Sequence, residues 1–195
     1  MCLVSLSLIA SSFGDNKVQV GFYAESLCPD CIALSTKYMN KAVEEVGKIF
    51  DLLYVPWGNA RLLSDGTFLC QHGKMECIIN TVDACVLHYY PQREQFWPFI
   101  YCMDEAKEDQ DMSVAQRCAE KSNLNWDNID TCSSGSMGHD LELMYYNMTA
   151  SLQPPHKYTP WITINGKHNT EAEGSGLIKA ICEAYIGSDK PVACK

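Results

Sequence analysis

The chain has 195 residues, of which 47% are hydrophobic and 20% charged, a composition typical of one ordinary globular domain and not of a disordered chain or a fibre. Its formal net charge of -9 at pH 7 provides no basic surface for nucleic acid or anionic lipid, so we expect no nucleic-acid partner. The 11 cysteines exceed what a chain of this length needs to fold, and they indicate an oxidising compartment, metal sites or redox chemistry.

The N-terminal segment, residues 1–15, contains an apolar run from Cys2 to Ala10 that ends in small residues. This pattern is typical of a signal peptide, although no basic residues precede the run. A disordered or strand-forming N-terminus is the alternative. Loss of the segment would remove Cys2 and leave an even number of cysteines. No other apolar run approaches the roughly 18 residues of a membrane helix, so we expect no membrane span.

Residues 16–58 predict a strand, a helix and a second strand, the unit of a parallel sheet. Alternating apolar residues predict the first strand over Val18–Ala24. Apolar residues at helical spacing then predict a helix from Pro29 to about Val46, and a short apolar run over Phe50–Val55 suits a buried strand.

Residues 59–155 differ from the strand–helix–strand pattern before them. Four helical patterns follow one another here, with polar or Gly/Ser-rich breaks such as 132–136 between them. These patterns cover Cys77–Tyr90, Gln95–Lys107, Val114–Ser122 and His139–Leu152. Residues 156–195 return to a strand, a tight turn at Asn165-Gly166 and a final helix over about Gly174–Tyr185. We therefore expect one α/β domain, with a core of residues 16–58 and 156–195 and a helical insertion of residues 59–155.

The sharpest motif is Cys28-Pro29-Asp30-Cys31, which follows a predicted strand and begins a predicted helix. Proline favours the first helical position, which makes Cys28 the N-cap, where free N–H groups and the helix dipole lower a thiol pKa. Cys31 lies on the same face, further into the turn, and is placed to resolve a mixed disulfide. We predict Cys28 and Cys31 as the catalytic residues. A structural disulfide and half of a zinc site are the alternatives. Asp30 either steers protons or simply suits the helix dipole.

The second signal is Pro160, which opens the strand after the insertion. Thioredoxin-like proteins place a cis-proline there, beside their redox pair, so we expect a cis Thr159–Pro160 bond. The backbone of Thr159 would then pair with an extended substrate segment, which makes Thr159 and Pro160 the predicted substrate-binding residues. A strand-start proline without a functional role is the alternative.

The third signal is the segment Cys70-Gln71-His72-Gly73-Lys74-Met75-Glu76-Cys77-Ile78-Ile79-Asn80, followed by Cys85. Together with Glu25–Cys31 and Pro56–Ala60, this segment resembles the signature of the gamma-interferon-inducible lysosomal thiol reductase family, over roughly residues 18–194. The resemblance implies a thioredoxin-like fold with a large, mostly helical, disulfide-linked insertion between the second strand and the cis-proline strand. It also implies disulfide reduction in lysosomes or secretions. Two roles of the signature itself stay open: its cysteines could form disulfides that tie the insertion together, or its residues could contact the substrate directly. His72 is a candidate hydrogen-bonding residue of the loop.

Eight further cysteines are candidates for structural disulfides, and the sequence suggests one pairing, Cys182 with Cys194. The eight are Cys70, Cys77, Cys85, Cys102, Cys118, Cys132, Cys182 and Cys194. Asn147 begins the N-glycosylation pattern Asn147-Met148-Thr149, which falls within a predicted helix. The five histidines show no metal-ligand spacing, so we expect no metal site.

These patterns lead us to expect a thiol-disulfide reductase of protein substrates in the lysosome, vacuole or secretions. We expect no bound cofactor, and a small-molecule thiol to regenerate the reduced pair. Activity at acidic pH requires a Cys28 pKa well below 8, because a thiol of pKa about 8.5 is only about 0.03% ionised at pH 5. A disulfide oxidase or isomerase is the alternative within this chemistry. A secreted, disulfide-rich binding protein with a structural Cys28–Cys31 bridge is the alternative outside it.

Overall fold

A four-stranded mixed sheet forms the centre of the molecule, whose computed structural model describes residues 17–195. The predicted signal segment lies outside the described residues. β1 (Val18–Ala24) runs parallel to β2 (Phe50–Pro56) and antiparallel to β5 (Trp161–Ile164), which pairs with β6 (Lys167–His168). β1 is buried at every position except Gln19, and β5 throughout, because both lie in the middle of the sheet with both faces covered.

The crossover from β1 to β2 consists of α1 (Pro29–Leu34) and α2 (Asn40–Val46), joined by a π-helical turn over Ser35–Met39. The predicted helix is therefore present, but with a widened turn that its apolar spacing did not indicate. Within this turn, the Thr36 hydroxyl donates to the carbonyl of Ile32 at 2.7 Å. Side-chain bonding of this kind competes with the regular helical ladder and is a known cause of local distortion.

Five helices occupy the chain between β2 and β5 and follow a short hairpin of β3 (Arg61–Leu62) and β4 (Phe68–Leu69). They are α3 (Lys74–Tyr89), α4 (Arg93–Glu105), α5 (Met112–Lys121), α6 (Trp126–Ser133) and α7 (Ser136–Ala150). Four of them were predicted with bounds that differ by one to three residues. The hairpin and α6 were not predicted, and the predicted break at 132–136 was wrong for Cys132 and Ser133, which end α6. The boundaries drawn between core and insertion stay a prediction.

The hydrophobic core is continuous from the sheet into the helices. Phe22 and Phe50 of the sheet and Ile79 and Phe99 of the helical region are all essentially inaccessible to solvent and belong to one cluster. The last helix, α8 (Leu177–Ala184), contacts α2, β1 and β5 and completes the packing of the core. Within residues 17–195, no helix combines the length and apolar character needed to cross a membrane.

Within residues 17–195, the eight cysteines outside the Cys28-Pro29-Asp30-Cys31 motif form four disulfides. The pairs are Cys70–Cys77, Cys85–Cys132, Cys102–Cys118 and Cys182–Cys194. The last pair is the one that the sequence suggested, and it joins the C-terminal turn to α8. The bridge from α3 to α6 closes a loop with a sequence separation of 47 residues, for which chain entropy gives a stabilisation of about 4 kcal/mol.

Candidate active site

Cys28 occupies the N-cap of α1, with extended backbone angles and proline at the next position. Its Sγ accepts a hydrogen bond from the backbone N–H of Cys31 at 3.3 Å. A hydrogen bond from the Cys31 thiol is the largest cause that lowers the pKa of Cys28, to about 6. Burial opposes this shift, whereas the N–H groups of Cys31 and Asp30 and the hydroxyl of Thr159 add to it. The backbone N–H groups at the helix N-terminus thus contribute to stabilising the thiolate, as the sequence predicted, but the largest contribution comes from the Cys31 thiol.

Cys31 lies deeper in the same helical turn. Its residue exposure is 3%, against 6% for Cys28, and both thiols are free. Burial raises the pKa of Cys31 well above its ordinary value, and the hydrogen bond to Cys28 and the charge of that thiolate raise it further. The pair is therefore asymmetric: the Cys28 thiol is readily ionised, whereas the Cys31 thiol holds its proton.

The segment before β5 lies against this pair. The Thr159–Pro160 bond is cis, and both residues are buried. The Thr159 hydroxyl lies 3.7 Å from Cys28 Sγ. A groove of about 290 Å³ beside the pair is lined by Asp30, Thr159 and Pro160, among other residues. The structure thus brings the four predicted catalytic and substrate-binding residues together, while their roles stay predictions.

Polar residues of the long signature contact the redox segment, the neighbouring loop at Asn59 and one another. Asn80 accepts hydrogen bonds from the backbone N–H and the hydroxyl of Ser26, at 3.0 and 2.8 Å. Gln71 accepts one from the Asn59 side chain at 2.6 Å. His72 donates its backbone N–H to Glu76 at 3.0 Å. The signature therefore does more than staple the insertion, because its side chains support the loops that surround Cys28.

Glu25 is the site residue that sequence reasoning did not single out. It is 1% exposed, accepts the backbone N–H of Asn59 at 2.7 Å through Oε2, and contacts the Thr159 hydroxyl at 3.3 Å through Oε1. Burial raises the pKa of Glu25 to about 7, and the neighbouring Glu76 carboxyl adds to the shift. Its position within the family-like segment Glu25–Cys31 was the available signal, but the sequence alone does not distinguish a buried glutamate from an exposed one.

The turn over Glu25 requires a glycine at position 58. Gly58 has a φ of +57°, and a Cβ there would lie 2.4 Å from Glu25 Oε2. Only a residue without a side chain allows the backbone to close over the carboxyl and donate the Asn59 N–H to it. The Pro-Trp-Gly-Asn segment noted in the sequence thus forms one wall of the site.

Glu25, His72 and Glu76 bring three potential metal donors within 4.8 Å of one another. Sequence spacing did not reveal this cluster, since Glu25 is distant in the chain from His72 and Glu76. Both Glu76 oxygens already pair with His72, and both Glu25 oxygens have partners on Asn59 and Thr159. These are the contacts of a hydrogen-bonded network. The expectation of no metal site stays a prediction.

The glycosylation candidate Asn147 lies on α7, far along the chain from this site. Its side chain is exposed, whereas Thr149, two residues on, is buried. Modification at Asn147 stays a prediction.

Comparison with solved structures defines the class of the fold. BdbD from Bacillus subtilis superposes with a TM-score of 0.67 at 16% sequence identity, covering 87% of this chain and 88% of that one. Chlamydia trachomatis DsbA gives a TM-score of 0.65 at 13% identity, covering 85% of each chain. The predicted thioredoxin-like fold with a helical, disulfide-linked insertion is confirmed.

Sequence comparison then gives the family. The sequence profile of "Gamma interferon inducible lysosomal thiol reductase (GILT)" matches residues 19–122. The "Gamma-interferon-responsive lysosomal thiol protein" of Arabidopsis thaliana is 35% identical over 200 residues, covering 95% of this chain and 79% of the relative. The "Gamma-interferon-inducible lysosomal thiol reductase" of Carassius auratus is 34% identical over 192 residues, covering 93% and 74%. The chain belongs to the gamma interferon inducible lysosomal thiol reductase family, and it is a thiol-disulfide oxidoreductase.

Proposed function

We propose that the chain reduces disulfides of protein substrates through Cys28 and Cys31, and that it does so at acidic pH. The observation that carries the proposal is the asymmetry of the pair: the Cys28 pKa is lowered to about 6, whereas that of the buried Cys31 is raised. A nucleophile and a resolving thiol require this division of roles.

The reaction proceeds in two exchanges. The Cys28 thiolate attacks one substrate sulfur, so that a bond from Cys28 to substrate forms, the substrate disulfide breaks and one substrate thiolate leaves. Cys31 then loses its proton and attacks Cys28 Sγ, which releases the second substrate thiolate and leaves the pair oxidised. The substrate gains two electrons, and its two thiolates take up two protons.

The lowered pKa makes this chemistry efficient in acid. With a Cys28 pKa of about 6, about 10% of the thiol is ionised at pH 5, against about 0.03% for an ordinary thiol of pKa about 8.5. The gain is about 300-fold before the lower nucleophilicity of a more acidic thiol is counted. An acidic compartment is therefore compatible with the site.

The names of the relatives and the disulfides support a proposal for the compartment and the substrates of this enzyme. The relatives are named lysosomal thiol proteins or reductases, and four disulfides suit an oxidising or protease-rich compartment. We infer a lysosomal, vacuolar or extracellular enzyme that acts on disulfide-containing proteins. A small-molecule thiol regenerates its reduced pair without a bound cofactor.

Disulfide oxidation is the second candidate, because a lowered Cys28 pKa stabilises the reduced pair and so raises its reduction potential. Equilibration with glutathione separates the two candidates. A potential near the value of about -270 mV of thioredoxin supports reduction, and one near the value of about -120 mV of DsbA supports oxidation.

The mechanism itself is tested by trapping. Cys31→Ser is mixed with a disulfide-containing protein at pH 5 and pH 7 and examined on a non-reducing gel. A covalent adduct that is absent when Cys28→Ser is also introduced supports Cys28 as nucleophile and Cys31 as resolver, and its formation at pH 5 supports acidic activity. No adduct at either pH would refute the proposal.

A further inference from the structure

The disulfide loop between Cys70 and Cys77 holds His72 against the buried carboxyl of Glu25. His72 Nδ1 pairs with Glu76 Oε2 at 2.5 Å and lies 3.6 Å from Glu25 Oε1. The His72 side chain is 29% exposed, whereas the side chains of Glu25 and Glu76 are fully buried. His72 is thus the member of this group that meets solvent.

On its other side, Glu25 connects to the reactive sulfur through one hydroxyl. Thr159 Oγ1 lies 3.3 Å from Glu25 Oε1 and 3.7 Å from Cys28 Sγ, and it accepts a hydrogen bond from the Asn59 amide at 3.3 Å. A hydroxyl has one proton and two lone pairs. When Glu25 is protonated and donates to Thr159, the single Thr159 proton is free to donate to Cys28. The contacts therefore lead from solvent to sulfur: His72 lies 3.6 Å from Glu25 without a hydrogen bond, Glu25 contacts Thr159, and Thr159 contacts Cys28.

We propose that Glu25 carries protons for the redox pair, and that the Cys70–Cys77 loop serves to hold His72 where it exchanges those protons with solvent. This inference rests on the reductase chemistry proposed above. Neither side chain touches the reacting sulfur, since Glu25 acts through Thr159 and His72 acts through Glu25. The Cys70–Cys77 loop would thus contribute to the site by positioning His72, in addition to carrying a structural disulfide.

The proton balance of the reaction requires such a carrier. The reduced pair with Cys28 ionised holds one proton, on Cys31, whereas two substrate thiols leave. The Glu25 carboxyl gives a proton to the first leaving thiolate, then accepts the Cys31 proton as that sulfur attacks Cys28, and delivers it to the second leaving thiolate. One proton then enters from solvent through His72 to restore Glu25.

The charges around Glu25 suit this cycle. Glu76 on α3 and the Cys28 thiolate on α1 both favour its protonated form, while His72 and the Asn59 N–H favour its ionised form. Burial lowers the pKa of His72, but its hydrogen bond to Glu76 and the charges of Glu76, Glu25 and Cys28 outweigh that effect and raise the pKa overall. The pKa values of both groups are thus raised, that of Glu25 to about 7, and a carboxyl group that titrates near neutral pH both accepts and donates a proton readily.

The test is single-turnover reduction of a disulfide peptide from pH 5 to 8 with Glu25→Gln and His72→Asn. Glutamine keeps a carbonyl acceptor for Asn59, and asparagine keeps a donor for Glu76, so both variants preserve hydrogen bonds while removing the titrating group. Positioned general acids and bases contribute about 100-fold or more to rate. We expect the rate of the unmodified enzyme to decline above pH 7, and we expect Glu25→Gln to lower the rate about 100-fold at pH 5 and to abolish that decline.

We expect His72→Asn to lower the rate at least tenfold, with recovery when imidazole is added as a soluble proton carrier. A histidine that only supports the loop would show no such recovery. His72→Asn also supplies the test if Glu25→Gln does not fold. Wild-type rates and pH profiles in folded variants of both kinds would overturn the proposal.

Two double variants test the role of the loop. Cys70→Ser with Cys77→Ser is expected to reproduce the His72→Asn profile, including recovery by imidazole. Cys182→Ser with Cys194→Ser removes the C-terminal bridge as a matched control and is expected to keep the wild-type pH profile. Equal profiles in the two double variants would count against the loop as a proton-transfer element.

Failure of this inference is distinguishable from failure of the proposed function. If Cys31→Ser forms no adduct through Cys28, the reductase mechanism itself is wrong. If the adduct forms but Glu25→Gln and His72→Asn leave the pH profile unchanged, only the proton path is wrong.

Discussion

Three buried carboxyl groups, in addition to Glu25, predict that the folded protein loses stability as the pH rises from 5 to 7. Burial raises the pKa of Asp104 to about 7, and it raises the pKa values of Asp83 and Glu142 well above their usual range. In the unfolded chain these groups ionise near pH 4. Between the two values the folded state holds more protons than the unfolded state, so the free energy of unfolding falls with rising pH.

The magnitude follows from the proton difference. For Asp104, with a usual value of 3.8 and a folded pKa of about 7, the folded state holds nearly one extra proton over most of this interval. Integration from pH 5 to 7 gives a loss of about 2 kcal/mol. Asp83 and Glu142 act in the same direction. The Cys28 thiol acts oppositely, because its folded pKa is lowered and its contribution to stability increases as the pH rises.

The assay is urea unfolding at pH 5, 6 and 7 in protein carrying Cys28→Ser and Cys31→Ser, which removes the opposing Cys28 thiol together with its partner. We expect the free energy of unfolding to fall by at least about 2 kcal/mol over this range. Addition of Asp104→Asn should reduce that fall by about 2 kcal/mol, because the amide does not titrate. Stability that increases toward neutral pH, or an Asp104→Asn slope equal to that of its parent, would refute the reasoning.

Three further substitutions test the construction of the site. Cys31→Ala should raise the Cys28 pKa, measured by alkylation, more than Cys31→Ser, which keeps a hydroxyl donor; equal values would contradict the assigned hydrogen bond. Gly58→Ala should lower the free energy of unfolding, measured in urea, by at least about 2 kcal/mol, because position 58 has a positive φ and a Cβ there would overlap the Glu25 carboxyl. Wild-type stability would show that the turn accommodates a side chain. Asn80→Ala should cost about 1–3 kcal/mol in the free energy of unfolding by leaving the backbone N–H of Ser26 unpaired, whereas Asn80→Asp, which keeps the acceptor, should cost less.

The redox helix was predictable because its determinants are local. A strand, a cysteine N-cap and a proline at the first helical position follow one another within a few residues, and each acts on its immediate neighbours. The hairpin turn at Asn165-Gly166 was predictable for the same reason, since both residues adopt the positive φ angles that their types favour.

The features that the sequence did not predict, such as α6 and the burial of Glu25, depend on contacts between segments that are distant in the chain. α6 is eight residues long, and its Cys132 is bridged to α3, so tertiary contacts and not a long apolar pattern define it. The burial of Glu25 arises from the Gly58 turn and from α3, which the chain reaches dozens of residues later. A sequence motif identifies such residues, but it does not show that His72 and Glu25 are in contact in the folded protein.

The central claim is that the start of α1 ionises Cys28 selectively, and the most direct measurement is the pH dependence of its alkylation. Reduced protein is treated with iodoacetamide from pH 4 to 9, and modification of Cys28 and Cys31 is followed separately by peptide mass spectrometry. The account predicts an inflection near pH 6 for Cys28 and little reaction of Cys31 in the folded protein. An inflection at pH 8 or above for Cys28, or faster modification of Cys31, would contradict it.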